Sequence, residues 1–138
     1  MIKVKIKKVG KEDTKDSGIV AKVVIIDNEN RVLMLTRSTY HKKFAGELDL
    51  PGGHLKKDES LNKGLEREVK EETGLDVLMP AFFKTVKNKH FYHARYDSQP
   101  VVLSDEHVDY KFYSKKELNP DKAFQEIAIE VLEMIEGG

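Results

Sequence analysis

The sequence predicts an α+β fold, a mixed β-sheet with helices packed on it. Three observations carry this. β-rich runs with turn signals between them fill both the first third of the chain and residues 75–114. A helical period spans residues 60–73, and a second one closes the chain after Asn119-Pro120-Asp121. The order is therefore strands, helix, strands, helix, within 138 residues, enough for one domain and one sizeable core.

The elements follow in order. Ile2, Val4 and Ile6 alternate with lysines, the period of a half-buried strand, and residues 11–18 form a polar connection. GIVAKVVIID and RVLMLTRS read as a hairpin joined through Asn28-Glu29-Asn30. Residues 40–46 have no period and read as a loop, with His41, Lys42 and Lys43 a short basic stretch. LDLPGGHL starts extended and is broken by Pro51-Gly52-Gly53. Asp58 or Ser60 suits the cap of a helix running to about Thr73, which Gly74 stops. Further strand-like runs are Leu75–Val86, interrupted by Pro80, then 91–96, 100–104 and 109–114. Ser114 and Glu117 have capping-box spacing. In the last helix Phe124, Ile127, Ala128, Val131, Leu132 and Ile135 make an apolar stripe.

Composition excludes several classes. Lys+Arg and Asp+Glu balance at 24 each, so no overall field draws the chain to nucleic acid or to a membrane surface. With no cysteine, neither a disulfide framework nor a thiolate zinc site can form. No apolar run approaches a membrane span or a signal peptide. The expectation is a soluble cytoplasmic protein; an apolar terminal strand or helix could serve a homodimer.

Chemistry concentrates between Gly53 and Leu75. Leu61, Leu65 and Val69 set the apolar stripe of the first helix, and helical steps from them reach Glu68 and Glu72, with Glu71 beside. Lys63, Glu66, Arg67 and Lys70 turn the other way on the same wheel, toward solvent. Carboxylates three and four residues apart repel, and partial burial makes this worse. Protonation or a divalent cation relieves them, and an all-oxygen set suits Mg²⁺ or Mn²⁺.

The stretch also resembles the Nudix box, G-x5-E-x7-R-E-U-x-E-E-x-G-U, at every fixed position: Gly53, Glu59, Arg67, Glu68, Val69, Glu71, Glu72, Gly74 and Leu75. Leu48 and Gly64 stand where the family often has an aromatic residue and alanine. The resemblance implies an α/β/α sandwich and hydrolysis of nucleoside diphosphates linked to another moiety (NDP-X). It makes Glu68, Glu71, Glu72 and the Gly52 carbonyl metal ligands, with Arg67 orienting a carboxylate. Glu68, Glu71 or the downstream Glu106 would activate water, with His107 a weaker candidate. Arg37, Tyr92 and Gly53 are candidate substrate contacts. Tyr92, 17 residues beyond Leu75, matches members that act on diadenosine polyphosphates, a mild lean toward these or nucleoside triphosphates. The alternative is a non-catalytic nucleotide-binding or sensor module on the same fold.

Overall fold

The computed structural model describes residues 16–39 and 44–137. The strand expected around Ile2–Ile6 and the basic stretch His41–Lys43 lie outside the described residues. Among the described residues seven strands form one sheet: β1 (Asp16–Ile26), β2 (Val32–Arg37), β3 (Leu48–Asp49), β4 (Gly52–Lys56), β5 (Ala81–Val86), β6 (Lys89–Arg95) and β7 (His107–Tyr113). Helix α1 (Leu61–Thr73) follows β4, and α2 (Ala123–Gly137) ends the described chain. The sheet is mixed because β1 runs parallel to β6, whereas its other pairs are antiparallel.

β1 is apolar on both faces because both are covered. Ala21, Val23 and Ile25 pack with Leu65 and Val69 of α1. Val24 and Ile26 pack with Ile127, Ala128, Val131 and Leu132 of α2. Each valine, leucine or isoleucine among them, fully buried, contributes about 1.5–3 kcal/mol, so both cores hold the sandwich. Among the described residues no helix is long and apolar enough to cross a membrane.

The site is placed by how β1 and β2 diverge. They pair only at the hairpin end, Ile26 with Val32. Beyond it β3 takes the edge of β2 and β4 takes the edge of β1, so the Leu50-Pro51 bend sits in the gap between them. Strand pairing therefore resumes at Gly52, where the sequence suggested a break; Gly52 lies opposite Lys22 with φ of 121°. A Cβ there would collide with the Ala21 carbonyl oxygen, so only glycine fits.

Ser60, not Asp58, caps α1 by accepting the Lys63 N–H at 3.3 Å, and Gly74 closes it at φ 74°. Residues 100–104 form no strand. Their N–H groups turn instead to the end of α1: Val102 donates to the Thr73 carbonyl and Ser104 to that of Glu72. A helix end leaves carbonyls without intrahelical partners, and this segment satisfies them. The Ser114–Glu117 capping box forms as expected.

Candidate active site

Gly64, one turn into α1, lets the helix lie close on β4: a Cβ there would fall 2.5 Å from Leu55 Cγ. That contact aims one side of the helix at the Gly52-Gly53 backbone. Glu72 is 5% exposed, and its Oε1 accepts the Gly52 N–H at 3.0 Å. Glu68 lies against Gly53, where a Cβ would collide with its Oε1. Gly53 is thus the room that Glu68 occupies. Glu71 departs from the expected inward trio: its side chain is 58% exposed, because a residue one position before Glu72 faces about 100° away.

Arg67 also departs from the simple wheel. It does not point to solvent but curls along the helix as a hub. Its guanidinium donates to Glu59 at 2.7 and 3.0 Å, Glu68 Oε2 at 3.0 Å, Glu71 Oε1 at 3.1 Å and the His54 carbonyl at 3.3 Å. Its hydrogen bonds to Glu59 lead in holding its proton more tightly than usual, against desolvation. The same bonds pull the Glu59 carboxyl below its ordinary range, against the effect of burial. Glu59 also accepts the Lys56 N–H at 2.8 Å, which closes the turn between β4 and α1. It is a brace for Arg67.

Burial dominates the electrostatics of Glu72 and pushes its carboxyl up to about 8; Lys22 and the Gly52 N–H oppose this, while Asp49 and Glu68 add to it. Such a group either keeps a proton or shares a cation. Among the described residues no three acidic or histidine side chains converge closely enough to hold an ion as placed, since Arg67 draws Glu68 and Glu71 and Gly52 holds Glu72. The donor set is nonetheless all oxygen, with Glu68 one turn from Glu72 and its charge felt there. It fits a hard divalent cation in chemistry.

Behind this site lies a buried polar network absent from the sequence-based expectation. Lys22 and Asp49 are 6% and 1% exposed and pair at 3.1 Å. Asp49 Oδ2 also meets Arg37 Nη1 at 3.1 Å and His107 Nε2 at 3.0 Å. Burial would raise the Asp49 carboxyl, but Lys22 and His107 outweigh it and hold it far below the ordinary range. His107 is therefore no exposed loop histidine; it begins β7 and is buried. The available signal was Lys22, a charge inside an apolar strand.

The remaining candidates scatter. Glu106 is exposed in the turn before β7, and its carbonyl accepts the Ser38 N–H. Tyr92 is 5% exposed in the α1-side core, its ring edge-on to Phe82, and presents no open face for a base to stack on. Arg37 lines a cavity of about 540 Å³ on the α2 side, with Phe44, Leu48, Phe91 and Phe124 among its walls.

The comparisons bear on family and fold. A family model for the NUDIX domain matches residues 16–134. An 8-oxo-dGTP diphosphatase of Buchnera aphidicola is 33% identical over 78 residues, 56% of either chain, so the match spans about half of that curated relative. The crystal structure of a MutT protein from Methanosarcina mazei superposes with a TM-score of 0.66 at 28% identity, covering 87% of this chain and 95% of that one. A C. elegans Ap4A hydrolase superposes at 0.63 with 19% identity, covering 86% and 94%, a likeness of fold. The chain is a MutT-like member of the Nudix hydrolase family, whose enzymes cleave pyrophosphate bonds and are generally dependent on divalent metal.

Proposed function

We propose that this protein hydrolyses a pyrophosphate bond of a nucleoside diphosphate derivative with Mg²⁺, or Mn²⁺, as cofactor. The observation that carries the reading is Glu72, a carboxylate buried beside Glu68 and against Gly52, with its proton affinity raised by that burial. Glu68, Glu71, Glu72 and the Gly52 carbonyl would hold the ion. When bound, the ion would supply charge neutralisation at the phosphates and would make the attacking water more acidic.

The chain's own residues do the rest. Arg67 gathers Glu68 and Glu71 on one side, braced by Glu59, and its bonds to them would yield to the ion as it binds. Glu68 or Glu71 accepts the proton of the attacking water; the exposed Glu106 is the further candidate. The water oxygen joins one phosphorus as the bridging P–O bond breaks, and the leaving phosphate departs with the bond's electrons. The Arg37 cavity on the α2 side, walled by Phe44, Phe91 and Phe124, suits a nucleoside. The curated relative supports nucleoside triphosphates as substrates, with dinucleoside polyphosphates second, since Tyr92, whose spacing carried that lean, is buried in the core. The charge-rich, cysteine-free sequence favours the cytoplasm as its compartment.

A panel of oxidised and ordinary nucleoside triphosphates, dinucleoside polyphosphates, ADP-ribose and sugar nucleotides, with and without Mg²⁺, tests this. Metal-dependent release of nucleotide or phosphate is expected, reduced by on the order of 100-fold or more in Glu68→Gln and Glu72→Gln. Metal-independent nucleotide binding without turnover across the panel would overturn it in favour of a sensor module.

A further inference from the structure

Lys22 stands where the strand period calls for an apolar residue. It shares a face of β1 with Val24 and Ile26, both in the α2-side core. An ammonium removed from water is strongly unfavourable unless its charge and hydrogens are matched, so something here must match it. Its Nζ donates to Asp49 Oδ1 at 3.1 Å, to the Leu50 carbonyl at 3.1 Å and to the Gly52 carbonyl at 2.9 Å. These three bonds use all its hydrogens.

Two of the three acceptors are main-chain carbonyls flanking Pro51. One side chain thus holds the bend between β3 and β4 at both ends. The second residue it holds, Gly52, is the one whose N–H fixes the Glu72 carboxylate. An unbroken chain of contacts runs from Lys22 through the Gly52 peptide to Glu72.

We infer that Lys22 is a positioning residue for the ion-binding site: by gripping the Leu50–Gly52 bend it sets where the Gly52 carbonyl and N–H stand, and through them Glu72. This rests on the reading of Glu68, Glu72 and Gly52 as ion ligands given above. The competing role is simpler: Lys22 only neutralises Asp49. Replacing both charges together separates the two. In Lys22→Met/Asp49→Asn the buried pair is gone, and the amide replacing the carboxylate still offers an oxygen to Arg37 Nη1, but nothing grips the bend.

Wild type, Lys22→Met and Lys22→Met/Asp49→Asn are titrated with Mn²⁺ alone, bound and free ion being resolved by electron paramagnetic resonance. Thermal melts and the exchange rate of the Gly52 amide are measured on the same proteins in EDTA. Lys22→Met is expected to melt lowest, and the double variant to recover part of that loss; it carries the test if the single variant does not fold. Both variants are expected to bind Mn²⁺ about 10-fold or more weakly, the usual effect of losing a group that orients a ligand. The Gly52 amide should exchange about 10-fold faster. A folded double variant that binds Mn²⁺ like the wild type, with Gly52 equally protected, overturns the role of Lys22 while leaving the ion site intact. A wild type that takes up no Mn²⁺ overturns the ion site itself, and this inference with it.

Discussion

Glu72 concentrates the conflict at the scale of single residues. Its carboxyl is pushed by burial from an ordinary 4.5 to about 8, against the pull of Lys22 and the Gly52 N–H. Between those values the folded protein holds a proton that the unfolded chain has released. The contribution of Glu72 to the stability of the metal-free protein therefore declines as pH rises from about 4.5 to 8. Denaturant unfolding in EDTA should show wild type losing on the order of 2 kcal/mol more than Glu72→Gln between pH 5 and pH 8. Equal slopes would mean that Glu72 is solvated in the folded state. Asp49, equally buried, behaves oppositely because Lys22 and His107 face it. Its contribution is present above the ordinary carboxylate range and is lost only in strong acid.

At the scale of elements, helix α1 and strand β4 form the unit on which the site is built. Gly64 costs an isolated helix about 1 kcal/mol relative to alanine. In the fold it stands over Leu55, itself buried, and beside Glu59, whose Oε1 would lie 3.0 Å from an added Cβ. The steric term wins, because Leu55 has no free space to move into. Gly64→Ala should lower stability by about 1–3 kcal/mol despite its better helix propensity. A stabilised variant would show that α1 can slide on β4. The sequence made α1 legible from its period, a cap at Asp58 or Ser60 and its Gly74 stop. The sequence suggested that Gly64 allows a close approach; that Leu55 of β4 is the neighbour was not legible, since the contact is with another element.

Among the described residues two α-helices cover a sheet whose first strand is buried on both faces, and the acidic side of α1 meets the place where β1 changes partner from β2 to β4. Native protein that binds an ion gains stability in proportion to occupancy. At 100 times Kd this is about 2.7 kcal/mol, or about 9 °C in Tm for a chain of this length. Calorimetry with saturating Mg²⁺ against EDTA should show a shift of that order in wild type and little in Glu72→Gln. A shift that survived in the variant would place the ion elsewhere.

The sequence by itself determined the strand and helix order, the box from Gly53 to Leu75 and the identity of the acidic side chains, because these follow from local period, caps and spacing. Only the tertiary structure decided that Arg67 gathers Glu59, Glu68 and Glu71, that Glu71 is exposed while Glu72 is buried, and that Tyr92 belongs to the core. It also assembled Lys22, Arg37, Asp49 and His107, which come from four strands, into one buried network. A helical wheel treats each side chain as a short spoke at a fixed angle. A long guanidinium reaches round that angle, and strand pairing joins residues whose separation in sequence carries no trace of their contact.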